Sequence, residues 1–241
     1  MKTYTIPTLE HQFAYLIHAL RSLSLKIYRK FLGRKWRWSV AYQYSDSLNN
    51  INLAKSIEIP NPPRRGLADP FIVKNDNKHY CFMEEFDFDS GKGTICAYLI
   101  SNKGFCELGT ALKETFHLSY PFIFEYENEL YMCPDTSEIN EIRLYKCVQF
   151  PLNWELCTTL MSDISAVDTN IFYRENKWWM MTNISSSRIG DHSSELHIFS
   201  SNNPLSKCWE AHEKNPVIFD SSKARNGGFI VDQSEQFRVF Q

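Results

Sequence analysis

Glycine, proline, long apolar runs and paired cysteine motifs are all scarce in this sequence of 241 residues. With only 9 glycines and 10 prolines, the chain is neither collagen-like nor of low complexity. No apolar run approaches the roughly 18 residues that a transmembrane helix needs. Hydrophobic residues make up 43% of the chain, which excludes intrinsic disorder, because burying that much apolar surface offsets the entropy lost on folding.

Cysteine usage argues against disulfide and metal chemistry. The chain has an odd number of cysteines, seven, and no two of them stand at C-x-x-C spacing. Most lie in apolar stretches, which is typical of buried, reduced thiols. The N-terminus is a poor secretory signal, because Arg21 interrupts its apolar stretch and no clean cleavage site follows. We therefore expect a cytoplasmic protein with no metal or other cofactor.

Charge is nearly balanced overall, at a net −2, but it is uneven along the chain. From Arg21 to Arg37 there are seven basic residues and no acidic one. Residues 38–241 carry 18 basic and 27 acidic side chains, a net charge of −9. Nucleic-acid-binding proteins present basic surfaces, so this acidic body argues against nucleic acid as a partner.

Residues 8–33 have the apolar periodicity of one amphipathic helix, and we assign residues 1–35 to this segment. The apolar stripe recurs at three- and four-residue steps: Leu9, Phe13, Leu16, Ile17, Leu20, Leu23 or Ser24, Ile27 and Phe31. Something must cover that stripe. Docking on protein is favoured, because Tyr15, His18 and Tyr28 flank the stripe. The alternative is an anionic membrane surface, which would make the helix a peripheral membrane contact.

Beyond the helix, four segments look like copies of one unit. They begin at Asp69, Tyr120, Asp168 and Asn226, so the copies start 51, 48 and 58 residues apart. Each copy has a short apolar strand, a polar turn and an aromatic-rich strand. In the first three copies, two further strand-like runs follow. Aromatic residues, at 15% of the chain, also favour β-structure.

A period of about 50 residues with four strands per unit is typical of a β-propeller. One such sheet cannot bury both faces alone, whereas stacking sheets around an axis covers them. We therefore predict an all-β fold for residues 36–241, a five-bladed β-propeller with partial first and last blades, preceded by the α-helix. Either the N-terminal strands complete the ring or the chain is a shortened form of a longer protein. A two-sheet sandwich is the alternative fold.

In a propeller, the starts of the first strands converge on one face, and the far ends of the second strands return to it. The repeat therefore predicts one funnel mouth lined by Asp69, Tyr120, Asp168, Glu84, Glu85, Asp135 and Asn183. Several carboxylates in one concave site would shift one another's pKa, which general acid–base chemistry requires. Turn capping and solvated surface are the alternative roles for these acids.

Several motifs together resemble those of one known family. They include Ala68-Asp69-Pro70-Phe71, Phe82-Met83-Glu84-Glu85, His117-Leu118-Ser119-Tyr120-Pro121-Phe122 and Trp178-Trp179. The family is the propeller at the N-terminus of plant glucosamine inositolphosphorylceramide transferase and its bacterial relatives, which are associated with surface polysaccharides. The resemblance covers residues 36–241. It implies a sugar-containing ligand and a glycosyltransferase as partners.

More distantly, the repeats resemble the five-bladed glycoside hydrolases of family 43. That resemblance implies a general base at Asp69, a residue at Asp168 that tunes the acid and orients substrate, and a general acid opening the fourth repeat. The last place holds Arg225 and Asn226, which cannot protonate a leaving group near neutral pH. Glu84 or Asp135 could replace the acid only at the carboxyl separation of about 6.5–9.5 Å that inverting chemistry needs.

We therefore expect a carbohydrate-recognising, glycoside-hydrolase-like propeller that acts in glycan, surface polysaccharide or glycolipid assembly without standard hydrolase activity. The candidate catalytic residues are Asp69, Asp168 and Glu84. The candidate substrate-binding residues are Tyr120, Asp135, Asn183, Glu85, His117 and Arg225. The alternative hypothesis is an active glycosidase that uses Asp69 and Asp168.

Overall fold

The computed structural model describes residues 8–31, 38–47, 50–186, 191–232 and 235–241. Backbone contacts divide the chain into two units, Met1–Arg37 and Trp38–Gln241. The division falls where the basic N-terminal segment gives way to the acidic remainder of the sequence.

The first unit contains one helix, α1, at Leu9–Phe31. At 1.5 Å per residue its 23 residues make a rod about 34 Å long. Glu10 lies in the first turn, where a negative charge interacts favourably with the helix dipole. The sequence signals for the helix ends, Pro7 and Gly33, lie outside the described residues. Among the helices described, none is long and apolar enough to cross a membrane.

The described residues of the second unit form seventeen antiparallel strands and two short 3-10 helices, Leu53–Lys55 and Ser137–Ile139. Their bounds are β1 Val40–Tyr42, β2 Ile57–Ile59, β3 Arg65–Asn75, β4 Lys78–Asp87, β5 Lys92–Ser101, β6 Gly104–Leu112, β7 Ser119–Tyr126, β8 Glu129–Asp135, β9 Glu141–Gln149, β10 Asn153–Ser162, β11 Ala166–Arg174, β12 Lys177–Ile184, β13 Glu195–Ser201, β14 Glu210–Ala211, β15 Ile218–Phe219, β16 Asn226–Asp232 and β17 Glu235–Phe240.

These strands form five sheets in chain order. The second and third sheets, β3–β6 and β7–β10, each have four strands, and the fourth has five, because β13 pairs with both β14 and β15. The first and last sheets, β1–β2 and β16–β17, have two strands each. The predicted all-β class and the partial first and last blades are confirmed. Within the described strands, the two partial sheets do not pair with each other, so hydrogen bonds do not close the ring.

Two-residue hairpin loops explain the constant register of the repeats. The loop residues have positive φ, between 46° and 61°: Asp76, Asn77, Glu127, Asn128, Glu175 and Asn176. A pair of left-handed residues is the signature of a type I′ turn, whose twist matches that of the flanking strands. Since the same loop joins the first and second strands of each full sheet, equivalent residues fall opposite each other in all three.

Apolar side chains fill the space between consecutive sheets. One core cluster joins the second and third sheets through residues such as Phe82 and Trp154, whose rings meet edge to face at 5.7 Å. The next joins the third and fourth sheets around Leu144, Ile171 and Trp178. Each sheet thereby covers a face of its neighbour, which is the stabilising principle of a propeller.

The cysteines only partly follow the expectation of buried thiols. Cys81, Cys96 and Cys133 are buried and Cys147 is partly buried. The remaining three are exposed, namely Cys106, Cys157 and Cys208. All seven are free thiols.

Candidate functional site

The first strand of each full sheet turns at one residue near its start. Asp69, Tyr120 and Asp168 have φ angles of 48°, 47° and 53°, and the pairing register shifts at each of them. Gly228 has a φ of 98° at the corresponding shift in β16. Such a bulge redirects a side chain out of the regular pleat. A left-handed aspartate or tyrosine is uncommon, and strain of this kind clusters at functional sites.

The second strands of the three full sheets bring further polar residues next to these turned strand starts. Glu84 pairs with Ala68, Asp135 with Ser119 and Asn183 with Val167, each directly before a bulge. The ends of β4, β8 and β12 therefore lie beside the turned starts of β3, β7 and β11. This convergence follows from the repeat register and brings four acids together.

The four acids form what we call the carboxylate cluster: Asp69, Glu84, Asp135 and Asp168. Burial raises the pKa of every member, to about 8 for Glu84 and about 7 for Asp168. Mutual repulsion adds to this effect, since the charges of Asp69 and Asp135 raise the pKa of both Glu84 and Asp168. The structure thus brings all three candidate catalytic residues into one electrostatically connected group, in which Glu84 and Asp168 have pKa values near neutral pH.

Arg225 is a cation held against this cluster. Its Nε donates to Oδ2 of Asp168 at 2.8 Å, and the Asp168 side chain is only 3% exposed while that of Arg225 is 37% exposed. The guanidinium limits the rise in the pKa of Asp168 and also acts to lower that of Asp69. Arg225 therefore balances part of the negative charge at the place that the resemblance to family 43 assigns to a general acid.

Asn183 lies fully buried beneath this ion pair. Its Nδ2 donates to the carbonyl oxygens of Glu195 and Ala224 at 2.9 Å, and its Oδ1 accepts from the Asn226 backbone N–H at 2.8 Å. The Asn226 side chain in turn donates to the Asp168 carbonyl at 2.8 Å. Asn183 was predicted to bind substrate, but its amide group is inaccessible to solvent and both its nitrogen and its oxygen are engaged in these hydrogen bonds. In the structure it positions the segment that carries Arg225.

His117 faces the cluster from the chain that precedes β7. Its Nδ1 accepts from the Gly93 backbone N–H at 2.8 Å, which leaves the proton of the neutral ring on Nε2. That nitrogen lies 3.6 Å from Oε1 of Glu84. A Cβ on Gly93 would collide with the Leu118 carbonyl oxygen and stand 2.8 Å from Glu84 Oε1. Only glycine therefore permits this approach of His117 to Glu84.

Tyr120 contributes its backbone rather than its ring. The side chain is buried, packs edge to face on Phe71 at 4.8 Å, and donates from its hydroxyl to Asn170 Oδ1 at 3.1 Å. Its backbone N–H binds the carboxyl group of Asp69 and opposes the rise in the pKa of that acid. The structure does not present the Tyr120 ring to a ligand, although the sequence placed it among the substrate-binding residues.

Glu85 lies apart from the carboxylate cluster. Neighbouring residues of a strand point to opposite faces, so Glu85 points away from Glu84. It pairs with Arg65 at 2.6 Å and lines a separate cleft of about 270 Å³ with Thr94 and Lys113. The structure therefore does not bring Glu85 to the predicted funnel, because the alternation of the strand separates it from its neighbour.

Two further residues, which the sequence pattern did not predict, contribute to the site. His192 lies close enough to Asp135 to lower its pKa, and its Nε2 is 2.9 Å from the Ser165 hydroxyl. Gly93 supplies the close approach described above. Neither occupies a repeated position, so the repeat offered no signal for them. Among the residues that the structure describes, no group of three or more His, Cys, Asp or Glu side chains is arranged to hold a metal ion.

Comparison with solved structures shows the class of protein. The chain superposes on a family 43 β-1,3-galactosidase with a TM-score of 0.56 at 11% identity, covering 71% of this chain and 38% of that one. A family 117 glycoside hydrolase from Zobellia galactanivorans gives a TM-score of 0.52 at 12% identity, covering 76% and 64%. At these identities the likeness concerns the fold alone. The second unit is thus a β-propeller of the type found in glycoside hydrolases.

Sequence comparison shows the family. Residues 41–241 match the model for the N-terminal region of glucosamine inositolphosphorylceramide transferase 1, and the chain belongs to this family. The Arabidopsis thaliana transferase is 36% identical over 185 residues, which cover 74% of this chain and 24% of that protein. The Oryza sativa subsp. japonica transferase is 36% identical over 179 residues, covering 71% and 24%. The chain therefore spans about a quarter of the length of these curated relatives.

Proposed function

We propose that this propeller binds a carbohydrate at the carboxylate cluster and serves glycan or glycolipid assembly without hydrolysing glycosidic bonds in the manner of family 43. Family membership supports the glycolipid context, because the relatives carry the name of a glycolipid transferase. A cluster of buried carboxyl groups beside one guanidinium offers both donors and acceptors, which suits the hydroxyl groups of a sugar.

One observation carries the proposal, namely the ion pair of Arg225 with Asp168. At the start of the fourth repeat, where hydrolysis by the family 43 scheme would need a protonated carboxyl group, the chain has a guanidinium bonded to Asp168 at 2.8 Å. A guanidinium stays charged throughout the accessible pH range and gives up no proton to a leaving group. The arrangement retains the means to orient a sugar and lacks that acid.

Binding and hydrolysis can be tested on the same protein. We expect saturation-transfer NMR with a panel of mono- and oligosaccharides to show binding, which Asp168→Asn weakens and the exposed control Asp163→Asn leaves unchanged. The same sugars, and their aryl glycosides, should remain intact on prolonged incubation. Absence of binding across the panel would refute carbohydrate recognition at this site. Turnover that depends on Asp69 would refute the non-hydrolytic role.

A second candidate function, a glycosidase, is favoured by the environment of Glu84. Its pKa of about 8 would keep the carboxyl protonated at neutral pH, as a general acid requires, and Asp69 lies within electrostatic reach as a base. In this case Asp69→Asn and Glu84→Gln should each reduce turnover by about 10²–10⁴-fold. Equal loss in both variants, with folding retained, would favour the enzyme over the binding module.

A further inference from the structure

The apolar stripe of α1 is exposed along the helix. The large apolar side chains described on this helix are between 44% and 82% exposed. Four members of the stripe occupy i, i+3, i+4 and i+7 positions of the helix: Phe13, Leu16, Ile17 and Leu20. Their side chains therefore share one face of the rod. Water is a poor environment for such a face, so a partner surface is needed.

The positive charge of the N-terminal segment indicates that the partner surface is negatively charged. By sequence, residues 1–37 carry eight basic residues and one acidic residue, Glu10, a net charge of +7. The rest of the chain carries a net −9. Within the described part of the helix, Arg21 is exposed to solvent. A partner that presents dense negative charge over the length of the helix would complement this segment.

We propose that α1 lies along an anionic membrane surface, with its apolar stripe inserted at the boundary between lipid headgroups and acyl chains. This interaction is separate from the proposed sugar site and does not depend on it. Helices that lie in the membrane interface combine an apolar face, a basic polar face and low overall hydrophobicity. By sequence, α1 carries four basic residues, Arg21, Lys26, Arg29 and Lys30, and its described apolar side chains are exposed.

Two further features favour lipid over a protein groove. The helix is about 34 Å long, and its exposed apolar residues run from Leu9 to Tyr28, whereas a groove would bury a few anchors. Tyr15 and Tyr28 are 75% and 62% exposed. Tyrosine has an apolar ring and a polar hydroxyl, and it concentrates at membrane interfaces for that reason. The tyrosines that flank the stripe, on which the sequence-based preference for a protein partner rested, therefore agree with a lipid partner as well, and the length of the exposed apolar face favours lipid.

Vesicle sedimentation of the full chain tests the proposal. We expect co-sedimentation with vesicles of phosphatidylcholine mixed with phosphatidylglycerol, and at least about tenfold less with pure phosphatidylcholine, since each nearby basic residue adds attraction only to the anionic surface. Raising NaCl from about 0.05 M to about 0.5 M should weaken the binding, because salt shortens the range of the attraction.

A matched pair of variants separates the stripe from charge in general. Leu16→Glu with Leu20→Glu should reduce binding to anionic vesicles by more than about tenfold, because both side chains lie in the stripe. His11→Glu with Ala14→Glu adds the same charge away from the stripe and should reduce it far less. Equal loss in both double variants would overturn the insertion of the stripe. Failure of the wild-type chain to bind anionic vesicles would overturn the proposal. So would a dimer, measured by light scattering, that dissociates in the Leu16 and Leu20 variant.

Discussion

Asp168 and Glu84 are two buried acids of one cluster with different neighbours. Asp168 accepts a hydrogen bond from Arg225 at 2.8 Å, whereas the neighbour of Glu84 is the His117 ring, whose Nε2 lies 3.6 Å from Oε1 of Glu84. Burial nevertheless raises the pKa of both, to about 7 and about 8. One partly exposed guanidinium therefore lowers the free-energy cost of burying the charge of Asp168, but it does not remove that cost.

The two acids are therefore suited to different tasks. Asp168 is fixed by its partner and by the Asn183 network behind it, so it can orient a ligand. Glu84 instead has Nε2 of His117 at 3.6 Å from its Oε1. Because burial raises the pKa of Glu84 to about 8, this acid can hold a proton at neutral pH and give it up as pH or ligand changes.

The largest effect is expected in the pH dependence of folding stability. Glu84 has a pKa of 4.5 when free of the fold and about 8 within it, so the folded protein retains a proton that the unfolded chain releases. The stability from this group is therefore complete below about pH 4.5 and declines as pH rises to about 8, by about 1.4 kcal/mol per unit of pKa difference.

Glu84→Gln isolates this contribution, because glutamine does not titrate. Urea unfolding at pH 5 and pH 8 should show a clearly smaller loss of stability in the variant than in the wild-type protein. The exposed control Glu155→Gln should keep the wild-type loss. If Glu84→Gln and wild type lose the same free energy between these pH values, Glu84 is ionised in the folded protein and its assigned role fails.

The next largest effect is expected from breaking the ion pair between Arg225 and Asp168. Arg225→Met should destabilise the fold by about 2–3 kcal/mol at pH 8, where Asp168 is largely ionised. We place this below the cost of breaking a fully buried pair, because solvent reaches Arg225 and screens the interaction. Chemical denaturation gives the measurement. Arg174→Met, at an exposed position, should change stability by less than about 0.5 kcal/mol.

A double variant sharpens this result. Asp168→Asn combined with Arg225→Met removes the buried charge together with its partner, so most of the stability should return. If the double variant is as unstable as Arg225→Met alone, the loss comes from the packing of the arginine and not from the uncompensated charge on Asp168.

The smallest effect separates the Tyr120 backbone from its side chain. Tyr120→Phe deletes the hydroxyl that donates to Asn170 and should cost about 1 kcal/mol of stability. Sugar binding should be unchanged, because the backbone N–H that binds Asp69 remains. A large loss of sugar affinity in a stably folded Tyr120→Phe protein would return the ring to the set of ligand contacts.

Position within a repeat was predictable from the sequence, whereas side-chain direction was only partly so. The register of the hairpins located the strand starts and ends, and hence all four members of the carboxylate cluster. It gave no information on burial, so Asn183 and Tyr120 were assigned to the ligand although the fold uses their side chains. The alternation of strand residues separates Glu85 from Glu84, so this part of the side-chain direction is encoded in the sequence.

Contacts between distant segments were beyond the repeat argument. The sequence showed that Arg225 replaces the expected acid, but the ion pair joins residues 57 positions apart and depends on how the fourth and fifth sheets pack. His192 and Gly93 likewise act through neighbours on other elements. Such contacts arise from tertiary packing, which a periodic pattern in one sequence does not encode.

The bulges at the strand starts have a consequence for engineering. Backbone geometry creates each turned position, and the chain accepts a tyrosine at one of them and aspartates at two. The side chain at each of these left-handed positions can therefore differ while the backbone of the bulge stays the same. Asparagine and aspartate tolerate the left-handed conformation best among non-glycine residues, so exchanges between them should preserve the bulge. Substitutions at single bulge positions could then alter the ligand preference of the propeller without disturbing the pairing of the strands.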